Sequence, residues 1–153
     1  MATRIKPAPK ELYEDDFYVW SQRQAELLRA RRYDELDLEH LIEEVEDLGG
    51  ALKRSVRSRV RTIIEHLLKL QHSPAVDLRP GWRDTVRTQR SDLLDDLTPT
   101  LRRELEEELE QLYARARQQT EGSLRDHGEH AAADALPQTC PYTADQITSD
   151  WLP

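Results

Sequence analysis

Apolar residues recur at steps of three and four along most of this chain, which is the spacing of one face of an α-helix. The most regular run predicts a helix over residues 51–71 that ends before Pro74. Its spacing is that of a seam in a helical bundle, so we expect this face to be buried. The residues of this seam are Leu52, Val56, Val60, Ile63, Leu67 and Leu70.

Two helices are predicted before this run. The first covers about residues 11–29, with Tyr13, Trp20 and Leu27 near one face. The second covers residues 37–48, with Asp37 as its N-cap and Gly49 in the left-handed position that follows a helix end. The second helix has an apolar stripe that should face the core, made of Leu38, Leu41, Ile42, Val45 and Leu48.

Cap signals mark the later helices. A fourth helix is predicted over residues 82–97, after a loop at residues 73–80. Thr98 followed by Pro99 starts a fifth helix that should end near Gly122. Three further caps and breaks are then expected: a capping box at Ser123 and Asp126 for a helix through Leu136, prolines at 137 and 141, and a last turn capped by Thr143 and Gln146.

No alternating strand pattern and no repeat period is visible, so the fold class predicted is all-α. We expect a single-domain antiparallel bundle of about five main helices plus short C-terminal helices. The domain should cover residues 11–153, with an extended tail from about residue 137. Residues 1–10 should form a flexible arm because of Pro7 and Pro9.

Charge is ordered in three blocks. Residues 1–50 carry a net charge of −6, residues 51–90 carry +7 and residues 91–153 carry −9. The basic block could be neutralised by neighbouring helices or by an anionic partner, and the sequence leaves both open. If the second and third helices form a hairpin, the basic stripe of the third should lie beside Glu43, Glu46 and Asp47. The residues of this basic stripe are Lys53, Arg54, Arg57 and Arg61. The overall charge of −8 argues against nucleic acid as a partner.

The compartment follows from what the sequence contains. Cys140 is the single cysteine, which excludes an internal disulfide and suits a reducing cytoplasm. No apolar window is long enough to span a membrane, and no apolar run follows the basic N-terminal residues. We therefore expect a cytoplasmic protein with no membrane partner.

Several long motifs carry a family resemblance. They are LYEDDFYVW at 12–20, RYDELDLEHLIEEVEDLG at 32–49, HLLKL at 66–70, Trp82 with Gln-Arg at 89–90, and CPYT at 140–143 with Gln-Ile at 146–147. In this order they resemble the bacterial family catalogued as domain of unknown function 29, over essentially residues 11–153. The resemblance implies an all-helical fold and a cytoplasmic bacterial protein, and it implies no activity.

Candidate chemistry is sparse, and no cofactor motif is present. Glu43, Glu44 and His66 are the candidates for an acid/base site, because a histidine beside an apolar seam needs a partner. Glu39, Glu43 and Asp47 are spaced about one turn apart and are weak candidates for metal ligands; a solvated face is the plainer interpretation. The candidates for anion binding are Arg57, Arg61, Arg83, Arg87 and Arg90.

The functional prediction that these observations favour is a macromolecular interaction module. Its partner would be another protein or a second copy of the chain in a homo-oligomer. The first alternative is a metal- or acid/base-dependent enzyme with a carboxylate/histidine site between helices. The second alternative is nucleic-acid or phosphate binding through the basic block at 53–90.

Overall fold

A computed structural model describes the backbone of residues 9–153 and the side chains from residue 12. Over that range every regular element is helical and no strand is present, which confirms the all-α prediction. Most of the predicted arm lies outside the described residues, and Pro9 and Lys10 start the first helix. The helices are α1 Pro9–Asp15, α2 Phe17–Arg29, α3 Leu38–His72, α4 Arg79–Asp96, α5 Pro99–Asp126, α6 His130–Asp134 and α7 Ala144–Thr148; 3₁₀ turns lie at Tyr33–Glu35 and Val76–Leu78.

The first predicted helix is broken at Asp16. Asp16 leaves the helical conformation, and its side-chain Oδ1 accepts a hydrogen bond from the backbone N–H of Val19 at 3.0 Å. An aspartate in this position satisfies one of the free amides at a helix start. The residue therefore caps α2 instead of continuing the helix that begins at Pro9.

The prediction of two helices meeting at Gly49 is wrong, because α3 runs without a break from Leu38 to His72. Gly49 is helical and does not adopt the left-handed conformation of a helix end. A glycine in a helix interior costs only about 1 kcal/mol relative to alanine. A break would leave up to four carbonyls without helical partners at the new C-terminal end and up to four amides at the new N-terminal end, so continuing the helix is the better solution.

The chain divides into two compact units, the first ending at Ala51 and the second covering Leu52–Pro153. The first unit contains α1, α2 and the first part of α3; its buried residues include Trp20, Gln24, Leu27 and Asp37. The second unit contains the rest of α3 and all the later helices. The single-domain organisation expected from the sequence stays a prediction.

The core of the second unit is built on the predicted seam of α3. Val56, Val60, Ile63 and Leu67 are all buried, as expected, and they pack in one cluster with residues of α4, α5 and the C-terminal segment. Ion pairs show the helix directions. On α3, Ser55 bonds Asp96 of α4, whereas Arg59, one turn later, pairs most closely with Asp92, one turn earlier on α4. The two helices are therefore antiparallel.

The fifth helix begins as predicted and ends later than predicted. Thr98 Oγ1 accepts from the N–H of Leu101 at 3.2 Å, and Pro99 takes the first helical position. Gly122 lies inside α5, so the expected end there and the capping box of Ser123 and Asp126 are both wrong. The helix stops at Asp126, where Gly128 adopts a φ of +75°.

The end of α5 is a Schellman motif. The N–H of Gly128 bonds the carbonyl of Arg125 at 2.9 Å, and the N–H of Glu129 bonds that of Leu124 at 2.8 Å. This pair of bonds requires a left-handed residue, for which glycine pays no β-carbon penalty. The signal for the helix end was therefore Gly128, six residues beyond the glycine that the sequence pattern favoured.

The C-terminal segment packs into the second unit. Tyr142 and Ile147 are buried in its core, and the predicted capping box of Thr143 and Gln146 is present at the start of α7. The buried guanidinium of Arg90 on α4 donates to three backbone carbonyls of this segment, with N–O distances of 2.9, 2.7 and 2.7 Å. They belong to Ile147, Gln146 and Trp151. Arg90 thereby satisfies two carbonyls that the short helix α7 leaves without helical partners, and that of Trp151 beyond the helix.

Candidate interaction and anion-binding surfaces

A cluster of aromatic and polar side chains fixes the first part of α3 within the first unit. The ring of Tyr13 stacks on His40 at a centroid distance of 3.9 Å, and its hydroxyl donates to Glu44 Oε1 at 2.6 Å. Trp20 Nε1 and His40 Nδ1 both donate to Asp37 Oδ2, at 3.1 and 2.7 Å. These contacts tie α1 and α2 to one side of α3.

The contacts within this cluster shift the pKa values of two side chains, Asp37 and Tyr13. Burial acts to raise the pKa of the Asp37 carboxyl, but the hydrogen bonds from His40 and Trp20 outweigh it, so the pKa is lowered. The hydrogen bond to Glu44 and partial burial raise the pKa of Tyr13 to about 12. Asp37 therefore stays ionised and Tyr13 stays protonated at neutral pH, which keeps every hydrogen bond in the cluster satisfied.

The apolar stripe that was predicted to face the core is exposed. Leu41 is half-buried, but the other four residues of the stripe stand in solvent because α1 and α2 cover a neighbouring side of the helix, that of Asp37, His40 and Glu44. The prediction of a core-facing stripe is therefore wrong for four of its five members. Their exposed fractions are 60% for Leu38, 51% for Ile42, 64% for Val45 and 71% for Leu48.

An acidic row borders this exposed stripe. Glu43, Glu46 and Asp47 are exposed and follow one another at three- and one-residue steps. At about 100° per residue, Ile42 and Glu46 lie within roughly 40° of each other around the helix axis, so the apolar and acidic surfaces adjoin. We call the stripe of Leu38, Ile42, Val45 and Leu48, together with this acidic row, the α3 face.

The structure describes no contact that brings the three acid/base candidates together. Glu43 is exposed, Glu44 accepts the hydrogen bond of Tyr13, and both belong to the first unit. His66 belongs to the second unit, about six helical turns further along α3. Its Nδ1 donates to the carbonyl of Thr62 at 2.8 Å, and burial lowers its pKa, which favours the neutral imidazole. The hydrogen-bond partner of His66 thus comes from its own helix.

The weak metal candidates lie on the acidic side of α3. Glu39, Glu43 and Asp47 are all exposed. Across the described part of the chain, no three His, Cys, Asp or Glu side chains are grouped so that they could hold a metal ion.

Part of the basic block pairs with carboxylates of the second unit that the sequence pattern did not identify as partners. Lys53 contacts Glu104 of α5 at 2.5 Å. Arg57 makes a bidentate pair with Glu108 of α5, at 2.7 and 2.5 Å. The predicted pairing with Glu43, Glu46 and Asp47 is wrong, because the hairpin that would have produced it is a single helix. Lys53 and its partner Glu104 each lie four residues before Arg57 and its partner Glu108. The partners advance in the same direction on both helices, so α5 runs parallel to α3.

The anion-binding candidates lie in different places. Arg57 and Arg61 border a groove between α3 and α5. Arg83 and Arg87 border another groove beside the C-terminal segment, where Arg87 pairs with Asp84 at 2.7 Å. The guanidinium of Arg90 donates its hydrogen bonds to the three backbone carbonyls described above.

The groove between α3 and α5 also contains two arginines outside the candidate set, Arg54 and Arg115. Arg54 was visible as part of the basic stripe of α3. Arg115 lies in the acidic third of the sequence, and only the parallel packing of α5 on α3 brings it to this groove. The sequence signal for Arg115 would have been its position three- and four-residue steps after Glu108 and Gln111, which places the three residues on one face of α5.

Comparison with known proteins adds a family and no activity. None of the helices in residues 9–153 combines the length and apolarity needed to cross a membrane. No curated protein and no solved structure matches the chain. The family model described as "Domain of unknown function DUF29" matches residues 12–152, and the chain therefore belongs to this family.

Proposed function

We propose that the protein is an interaction module whose α3 face binds a basic amphipathic helix of a partner protein. The observation that carries the proposal is the exposure of Leu38, Ile42, Val45 and Leu48 along one helix face. A row of large apolar side chains in water is unfavourable, and contiguous patches of this kind mark protein interaction sites. An amphipathic helix that presents residues at steps of three and four fits such a row.

Charge selects the partner. The acidic row of Glu43, Glu46 and Asp47 adjoins the stripe, and residues 1–50 carry a net charge of −6. A partner helix with lysines or arginines beside its apolar face would meet this row with opposite charge, which speeds association and disfavours wrong partners. In an antiparallel two-fold pair of copies, each acidic row would face its own counterpart. A second copy is therefore the less favoured occupant.

The enzyme alternative gains no support from these contacts. Glu44 and His66 each have a local hydrogen-bond partner, on α1 and on α3 respectively. A catalytic pair would need to reach a common substrate atom within hydrogen-bond distance. The interaction module therefore remains the function that the geometry supports best, and the cytoplasmic location stays a prediction.

The test uses two labelled peptides of 18 residues with leucines at helical spacing, one with lysines at the remaining positions and one with glutamates. Fluorescence anisotropy should show binding of the lysine peptide and none of the glutamate peptide. Val45→Glu should weaken binding about tenfold, because one valine loses its burial at roughly 1.5 kcal/mol. A purely electrostatic attraction would instead be strengthened by the added negative charge.

Val76→Glu is the matched control, because Val76 is exposed to nearly the same extent as Val45 (67% against 64%) and lies in the second unit. It should leave the affinity for the lysine peptide unchanged. Equal effects of the two substitutions, or no binding of the lysine peptide, would refute the proposal. A wild-type dimer in light scattering that Val45→Glu dissociates would show that a second copy occupies the face.

A further inference from the structure

The groove between α3 and α5 concentrates positive charge in an otherwise acidic protein. It has a volume of about 380 Å³ and lies wholly within the second unit. Four arginines border it, together with the single carboxylate of Glu108. Its size falls in the range of small-molecule sites, about 300–1,000 Å³. The arginines are Arg54, Arg57, Arg61 and Arg115, and we call this the arginine groove.

The one carboxylate of the groove is already engaged. Arg57 holds Glu108 with two hydrogen bonds, and Lys53 lies 3.5 Å from the same carboxylate. The hydrogen bonds from Arg57, aided by the positive charge of Lys53, lower the pKa of Glu108, so it stays ionised. Its charge is therefore balanced by Arg57, and the two hydrogen bonds fix the orientation of the Arg57 guanidinium relative to this carboxylate.

The other three arginines have no carboxylate in direct contact, although Glu65, one turn from Arg61 on α3, interacts with Arg61 through its charge. Within the described chain, Arg54, Arg61 and Arg115 form no ion pair within 4.0 Å and no hydrogen bond. Seven of the other twelve basic residues of the second unit form an ion pair, and Arg79 and Arg90 donate to backbone carbonyls instead. Three like charges that border one groove repel one another, and a bound anion with several charges would relieve that repulsion.

We propose that the arginine groove binds a small molecule through a di- or triphosphate group. The excess of three positive charges matches the charge of such a group. Each guanidinium offers a planar fork of N–H donors that suits phosphate oxygens. The side chains of Ser58 and Gln111 border the same groove and can add neutral hydrogen bonds to it. This site is independent of the α3 face and goes beyond the function proposed above.

The experiment is isothermal titration of the full chain at about 0.15 M salt, where the Debye length is roughly 8 Å and diffuse attraction is screened. The probes are inorganic pyrophosphate, inorganic triphosphate, orthophosphate and adenosine triphosphate. Triphosphate and pyrophosphate should bind, and orthophosphate should bind at least about tenfold more weakly because it engages fewer arginines. Tighter binding of adenosine triphosphate than of triphosphate would identify a nucleotide as the source of the group.

Arg61→Gln and Arg115→Gln should each weaken triphosphate binding about tenfold, the effect of one lost charge-assisted contact. Arg83→Gln is the control, since Arg83 is an exposed arginine of the same unit outside the groove. It should change nothing. Circular dichroism of each variant should match the wild type, because none of these side chains is in the core.

Three results would overturn the proposal. The first is no heat with triphosphate at millimolar concentration. The second is an equal loss in Arg83→Gln and Arg61→Gln, which would indicate diffuse attraction. The third is salt-sensitive binding of a single-stranded oligonucleotide, abolished by Arg83→Gln, which would assign the basic block to nucleic acid instead.

Discussion

Replacing Gly49 by alanine tests the continuity of α3. The sign of the change in the free energy of unfolding distinguishes a continuous helix from a helix that ends at Gly49. Gly49 lies inside the helix, with a φ outside the left-handed range, and an added Cβ would meet no atom within 4 Å. Alanine removes backbone freedom from the unfolded chain without strain in the helix. Gly49→Ala should therefore stabilise the protein by about 0.5–1 kcal/mol.

A helix end at Gly49 would give the opposite result. A left-handed residue penalises a β-carbon, so alanine would destabilise the protein by roughly 1 kcal/mol or more. Gly128 provides this case within the same chain, because it has a φ of +75° in the Schellman motif of α5. Gly128→Ala should destabilise the protein while Gly49→Ala stabilises it.

Thermal unfolding followed by circular dichroism at 222 nm measures both effects. For a chain of this size, 1 kcal/mol corresponds to a shift in Tm of about 2–4 °C. We expect a rise for Gly49→Ala and a fall for Gly128→Ala. A fall for both variants would refute the reasoning, because it would show that Gly49 needs the conformation that only glycine adopts freely.

Two further predictions concern buried charges. Arg90→Gln should lower the free energy of unfolding, measured in urea, by about 2–4 kcal/mol, because glutamine cannot donate to three carbonyls. Arg87→Gln, on the exposed side of α4, should lower it by less than about 1 kcal/mol. Similar losses for both variants would contradict the role of Arg90. The lowered pKa of Asp37 gives stability that is present above the unfolded pKa of about 3.9 and is lost as pH falls through the folded pKa. The stability difference between wild type and Asp37→Asn should therefore shrink below about pH 4, and a difference that grows on acidification would contradict this sign.

Local sequence signals succeeded where the interaction itself is local. Thr98 with Pro99, and Thr143 with Gln146, start helices by bonding amides three residues away, and both caps are present. The seam from Val56 to Leu67 was also predicted correctly, because a regular apolar face on a long helix has to be buried somewhere. Each of these features depends on a few neighbouring residues, so the sequence alone contains the needed information.

Glycine signals failed because the energetic effect of one glycine is small compared with the backbone hydrogen bonds of a continuous helix. The cost of a glycine in a helix, about 1 kcal/mol, cannot outweigh the loss of hydrogen bonds at two new helix ends. Gly49 and Gly122 therefore lie inside α3 and α5, whereas Gly128 ends a helix because its backbone is left-handed. Residue type alone does not distinguish these cases.

The sequence by itself determined the all-α class, the helix starts at Thr98 and Thr143, and the family. Tertiary structure decided which apolar face is covered and which charges are paired. Leu38, Ile42 and Val45 follow steps of four and three, as do Val56, Val60 and Ile63, yet the first three are exposed and the second three are buried. Spacing fixes only which residues share a face; what covers that face, like the carbonyls that reach Arg90 from more than 50 residues away, depends on packing between distant segments.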